Sequence, residues 1–322
     1  MRSRHERIAV FVTQQLFLIT AICLSGSPLL SAENPYVHNG SIGDETKVAV
    51  SNQGKKLGPS DRRPVDRWTG ERFIFMPMPK KKRDLVSKYL RINMMEYQGR
   101  IARVIDVTES ETNDLFTSWK VKLRMEDNAR ILVLDYMEGG IVEGIQGIAP
   151  VMDIDDAKET WLGKTLWCKR NYLFTYNADK EEFGRVPIKK CSAVKVSDVV
   201  VGDYHGTPVR FIVKTDSGQE GFVDLSWSGT NDVAFSNEQL SDIFFVKNPR
   251  ETYSWSDAVW SAIENGKVFV GMTDYQVTLS WVRPPKINKS IVGKTKHEQW
   301  IYGKDKPQYV YLDDDVVTGL QE

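Results

Sequence analysis

Residues 255–288 read WSDAVWSAIENGKVFVGMTDYQVTLSWVRPPKIN, and residues 297–321 read HEQWIYGKDKPQYVYLDDDVVTGLQ. The first stretch has helical spacing and the second has a period of two. Ser256 or Asp257 caps a helix over 256–265, in which Val259 and Ile263 lie one turn apart. Gly266 follows as the residue that ends it. Thr273 and Gln276 have capping-box spacing: the hydroxyl accepts from the third helical N–H while the amide reaches back to the cap N–H. Val277 and Trp281 then share a face. Pro284 and Pro285 stop this second helix, because proline lacks the ladder donor and restricts its predecessor. Beyond them Glu298, Trp300 and Tyr302 alternate with His297, Gln299 and Ile301, and Tyr309 and Tyr311 alternate with Val310 and Leu312. Asp313, Asp314 and Asp315 form a turn, and Val316 to Leu320 a last strand. The stretch holds no metal cluster and no nucleophile beside a base.

Gly271-Met272-Thr273, Gln276-Val277, Ser280-Trp281, Pro285 and Glu298-Gln299-Trp300-Ile301-Tyr302-Gly303 together resemble the SmpA/OmlA-type domain. That family is similar in fold to beta-lactamase inhibitor protein. It includes a small lipoprotein of the outer-membrane barrel-assembly machinery and other envelope proteins. The resemblance covers about a fifth of the chain. It implies two helices packed on one face of a small antiparallel sheet and a protein-binding role, with no reaction chemistry to carry over. The family usually has a Gly after the second helix; here Val282 and Arg283 stand before the prolines.

At the other end, Arg2, Arg4 and Arg7 precede a mostly apolar run from Ile8 to Leu24, interrupted by Gln14 and Gln15. Small and turn-forming residues follow to Ala32. This reads as a secretion signal cut after Ala32, although Leu30 is larger than the small-x-small pattern favours. An uncleaved membrane anchor is the alternative. Cys23 fits lipid attachment poorly because Ile22 before it is bulky. Glu33 to Arg67 is polar and lacks an apolar period, as a linker does. The Lys80-Lys81-Lys82-Arg83 run reads as a solvated loop or lid. With 43 basic and 43 acidic residues, the chain offers no general attraction to nucleic acid or anionic lipid.

The middle is β-rich and contains a degenerate repeat. RIARVIDV at 100–107 matches SAVKVSDV at 192–199; WKVKLRMEDNARILVLD at 119–135 matches TPVRFIVKTDSGQEGFVD at 207–224. Asp127-Asn128 and Asp216-Ser217-Gly218 supply hairpin turns. Val209, Phe211 and Val213 alternate with Arg210, Ile212 and Lys214. A repeat of this length suits two small β domains, read as SH3-like barrels. Asp153 to Trp161 reads as a connecting helix with acids at its positive end. The chain is therefore expected to be mainly β and α+β overall. Its parts are a signal peptide over 1–32, a disordered linker over 33–67 and a first SH3-like domain over 68–162. A second SH3-like domain spans 163–250, and the helix-on-sheet domain 251–322.

Few residues of the chain stand in the spacing of a reactive site. Of the four histidines, His5 leaves with the signal, and nothing local joins His38, His205 and His297. His297-Glu298 lacks the second His of a zinc helix. Asp153, Asp155 and Asp156 lack the downstream pattern of a calcium loop. There is no phosphate loop and no Gly-x-Ser-x-Gly elbow. No cofactor and no metal are expected. Cys168 and Cys191 remain after signal cleavage. They form either a disulfide, stabilising by roughly 3 kcal/mol, or two separate core thiols. The aromatic-rich face of the last sheet should lie beneath the helices, leaving His297 and Gln299 as exposed binding residues. The aromatic approach around Tyr253 is the second choice. These readings point to an exported, non-enzymatic interaction or scaffold protein of the cell envelope, contacting envelope proteins, with a carbohydrate- or peptidoglycan-binding protein as the alternative. A hydrolase with a scattered site comes third. Membrane contact is expected only through the N-terminal signal or anchor.

Overall fold

The computed structural model describes residues 65–112, 117–138, 145–227 and 239–321. The expected signal and residues 33–64 of the expected linker lie outside the described residues. Val65–Arg67 form a 3₁₀ turn, and Val65 is buried in the first core. The fold is mainly β, in antiparallel sheets of five, seven and four strands.

The first sheet comprises β1 (Arg72–Phe75), β2 (Ile101–Thr112), β3 (Thr117–Met125), β4 (Ile131–Glu138) and β5 (Ile148–Pro150), in the order β4-β3-β2-β1-β5. Period-two alternation turns Ala102, Val104, Val121, Leu123, Leu132 and Leu134 inward, against Trp68, Phe73 and Phe75. Helix α1 (Lys80–Leu90) lies between β1 and β2 in sequence. The basic run is thus not a loop or lid; it is the first turn of α1. The period that buries Val86 and Leu90 also buries Lys82, one and two turns earlier.

Helix α2 (Val151–Trp161) starts two residues before the expected Asp153 and leads to the second sheet. That sheet contains β6 (Thr165–Cys168), β7 (Tyr172–Asn177), β8 (Glu182–Pro187), β9 (Ser192–Tyr204), β10 (Thr207–Thr215), β11 (Glu220–Leu225) and β12 (Phe244–Phe245). Their order is β12-β6-β9-β10-β11-β7-β8. The pattern β5-β1-β2-β3-β4 recurs as β12-β6-β9-β10-β11, with the β7–β8 hairpin added at the end. The repeated sequence stretches fall on β2–β4 and β9–β11, at equivalent positions. Val209, Phe211 and Val213 are fully buried, as their alternation requires. Where β7 joins β11, Gly221 is necessary: a Cβ there would lie 2.6 Å from Leu173 Cβ and 2.8 Å from the Phe174 carbonyl oxygen.

Two short helices, α3 (Leu240–Ile243) and α4 (Pro249–Thr252), lead to the third module. It consists of α5 (Asp257–Glu264), α6 (Asp274–Trp281) and a meander of β13 (Lys286–Val292), β14 (Thr295–Tyr302), β15 (Gln308–Asp313) and β16 (Val316–Gln321). Ser256 caps α5, and the Thr273/Gln276 capping box is complete. Asp314 and Asp315 both take positive φ, 45° and 68°, as a two-residue type I′ hairpin turn requires. Trp260, Ile263 and Val277 from the helices pack on Trp300, Val310, Leu312 and Val317 from the sheet. Replacing Thr273 with Ala orphans the Gln276 N–H it now satisfies at 3.3 Å. Thermal melting is expected to show a loss of about 1 kcal/mol.

Val282, where the resembling family usually has Gly, sits after α6 at φ 65° and ψ 174°. This region is nearly closed to β-branched residues. The side chain is 64% exposed, so little packing offsets the strain. Val282→Gly is expected to relieve about 1–3 kcal/mol of strain against about 0.5–1 kcal/mol of added chain entropy. The melting temperature should rise; a fall would mean the turn is unstrained.

Candidate functional site

The alternation in β14 sorts the third sheet into two faces. Glu298 and Trp300 are buried beneath the helices, while His297 and Gln299 are half-buried on the other side. Strand pairing aligns Asn288, Gln299, Tyr311 and Gly319 across that open face. Asn288, Gln299 and Tyr311, together with Gln321 of β16, form a hydrogen-bonded row spanning all four strands. Asn288 Nδ2 donates to Gln299 Oε1 at 2.9 Å, Gln299 Nε2 donates to Tyr311 Oη at 3.2 Å, and Tyr311 Oη donates to Gln321 Oε1 at 2.8 Å. Tyr309 stacks beside Tyr311, with ring centroids 6.5 Å apart. The face is polar and aromatic, with its side chains held in place by one another.

A second row brings Ser290, His297 and Asp313 opposite one another. His297 Nδ1 lies 2.6 Å from Asp313 Oδ1. This has the residue order of a nucleophile, base and orienting acid. Among the described residues it lacks the next requirement, a hydrogen bond between the Ser290 hydroxyl and the ring, and both His297 and Asp313 are partly exposed. The pair is a partly exposed hydrogen-bonded contact on the open face of the sheet.

Tyr253 belongs elsewhere. It stacks on Trp255 at 4.5 Å, with Phe245 and Tyr275 nearby, against the helix-covered core. The structure therefore groups His297 with Gln299 and separates both from Tyr253. Cys168 and Cys191 are unbridged. Their backbones touch, Cys191 N–H donating to the Cys168 carbonyl at 2.6 Å, but Cys168 is buried in the second core while Cys191 packs against the third. Burial pushes the thiols up to about 11 and about 12 respectively, so neither is an active thiolate at neutral pH.

The titratable cluster that sequence reading missed lies between the first two modules. Lys82 Nζ of α1 meets Asp203 Oδ1 of β9 at 2.8 Å, and Arg210 of β10 reaches Asp203 Oδ2 at 3.1 Å. Arg210 also grips Asp224 of β11 through two hydrogen bonds of 2.6 and 2.8 Å, and its guanidinium lies 3.8 Å over the Phe222 ring. Burial would raise Asp203, but Lys82 and Arg210 outweigh it and hold the carboxyl below its ordinary value. Burial pushes Asp224 up against the pull of Arg210. His205, in the β9–β10 turn, is wholly buried, and its Nε2 has no hydrogen-bond partner. Burial first, and Lys82 second, push His205 down to about 4. Two cations face two carboxylates with little access for a substrate, so the cluster acts as a pin. Two sequence signals pointed to it: Lys82 in register with Val86 and Leu90, and Arg210 paired directly with Asp224 across a hairpin.

Two further contacts join the modules. Glu181, at the tip of the β7–β8 hairpin, accepts from Lys80 N–H at 3.1 Å. It supplies α1 with the cap that Pro79 cannot provide. Lys190 is buried, with Nζ donating to the carbonyls of Leu279 and Ser280 in the last turn of α6. These are acceptors that a helix C-terminus leaves unsatisfied. Burial lowers the Lys190 pKa. Among the described residues no group of acidic, His or Cys side chains could hold a metal ion, and no helix is long and apolar enough to cross a membrane. No protein-family model matches the chain, and no curated protein does.

Proposed function

We propose that this chain is an exported, non-enzymatic interaction protein of the cell envelope, which holds another protein on the open face of its third sheet. The observation that carries the reading is the row of Asn288, Gln299, Tyr311 and Gln321. It is a preorganised surface with little side-chain entropy left to lose on binding. Tyrosines on such a face suit protein contacts. The likeness of the third module to SmpA/OmlA-type domains supports the same reading, as does its order of two helices followed by an antiparallel meander. The recurring strand order, in which the last strand pairs with the first beside a three-strand meander, supports reading the other two modules as SH3-like scaffolds.

The test is the His297→Ala/Gln299→Ala double variant. Both residues are partly exposed, so the fold should survive, while capture of partners from envelope extract should fall at least tenfold. Unchanged capture, or a collapsed fold, would remove the face from consideration. The parallel Tyr309 and Tyr311 rings beside amides also favour a glycan strand as ligand. Calorimetric titration with peptidoglycan fragments distinguishes that reading, since heat would be released without any protein partner.

A further inference from the structure

We infer that the free edge of β13 accepts an extended, carboxylate-bearing peptide segment as a fifth strand of the third sheet. The sheet's two edges are built differently. β16 is covered along its first residues by the loop entering α6: Gly271 N–H donates to the Val317 carbonyl, Val317 N–H to Met272, and Asp274 N–H to Asp315, each at 2.8 Å. Among the described residues β13 pairs only with β14, and every residue of it except Ile287 is exposed. The outward backbone groups of a strand this long form a template of about 24 Å, the arrangement on which peptides add to sheets.

The side chains along this edge define the occupant. Ile291 and Val292 are 76% and 66% exposed, among the most exposed large apolar residues described. Lys286 stands at one end of the strand and Lys294 in the turn at the other. Neither has an ion-pair partner among the described residues, whereas Lys289 and Lys296 are engaged by Glu298. The edge thus offers apolar contact between two unneutralised cations. A second copy of β13 would bring lysines opposite lysines, which disfavours pairing. A segment alternating Glu or Asp with β-branched residues would meet both needs. Edge lysines also protect sheets from aggregation; that protective role does not select for acidic partners, so the two roles separate experimentally.

This inference rests on reading the third module as a binding unit, but not on its open face. The test uses the full chain and two synthetic eight-residue peptides, one alternating glutamate with valine and threonine, the other carrying lysine in place of glutamate. Hydrogen exchange read by mass spectrometry should show the acidic peptide slowing exchange over 286–292 and the lysine peptide leaving it unchanged. Lys286→Glu/Lys294→Glu should weaken the acidic peptide by about tenfold, from two surface charge contacts, with unchanged melting. If that variant melts early, Lys286→Gln/Lys294→Gln replaces it, with a smaller loss in the same direction expected because it removes the attraction without adding repulsion. The open-face reading is judged by envelope capture with the His297→Ala/Gln299→Ala variant and this one by peptide-dependent exchange in the wild-type chain, so failure of the one and failure of the other are seen separately. No protection over 286–292, equal protection by both peptides, protection confined to β14 and β15, or protection that appears with protein concentration alone would overturn the inference.

Discussion

Asp203→Ala is expected to destabilise the protein by about 3–5 kcal/mol, because it leaves two buried cations facing one remaining carboxylate. Lys82 is 4% exposed at its side chain and Asp203 7%, so neither charge regains water when the other is lost. Arg210 keeps Asp224, which makes Lys82 the stranded group. Urea titration should show a lower midpoint for Asp203→Ala, and Lys82→Met/Asp203→Ala should recover part of the loss by removing the orphaned ammonium. A loss below about 1 kcal/mol would place the pair in the class of weak surface bridges and end its role as a pin.

Acid should act through His205. Its folded pKa, about 4, lies below the ordinary value near 6.5, so the folded state prefers the neutral ring. As pH falls below about 6.5 the unfolded chain takes up a proton that the folded chain refuses, and stability is lost until the folded ring titrates near 4. The full difference corresponds to about 3 kcal/mol. His205→Gln removes the titration. The gap between wild-type and variant stability should therefore change by that amount between pH 7 and pH 4, whatever the carboxylates contribute to both. Parallel curves for the two proteins across this window would show that the ring protonates freely in the fold.

The readable parts of the sequence were those whose physics is local. The cap at Thr273 needs Gln276 three residues on, the turn at Asp314 needs its neighbours, and the burial of Trp300 follows from period two within one strand. The repeat was readable because β2–β4 and β9–β11 are each continuous in sequence. Unreadable contacts were those made by distant residues: Lys82 and Asp203 are 121 positions apart. The Lys80–Arg83 run misled because four cations in succession suggest solvent, while the helix period places one of them inside. Of the two arrangements open for the thiols, the structure has the separate one: the end of β6 and the turn before β9 bring the backbones together but place the side chains in different cores. For the open face, alternation supplied His297 and Gln299, but the row that gives the face its order runs across strands and needed the register of all four.

Lys190 bears on how this protein could have been assembled. A segment beginning at residue 251 would carry both helices and the whole last sheet, yet leave behind the ammonium that satisfies the end of α6. It would also lose Cys191 and Phe245, which pack on the same core. Recombination at that apparent seam would therefore transplant a piece with bare carbonyls and an uncovered flank. The unit that can be inherited intact reaches back through the second sheet, and a lineage that shuffled this module would have to carry the Lys190 loop with it or evolve another cation in its place.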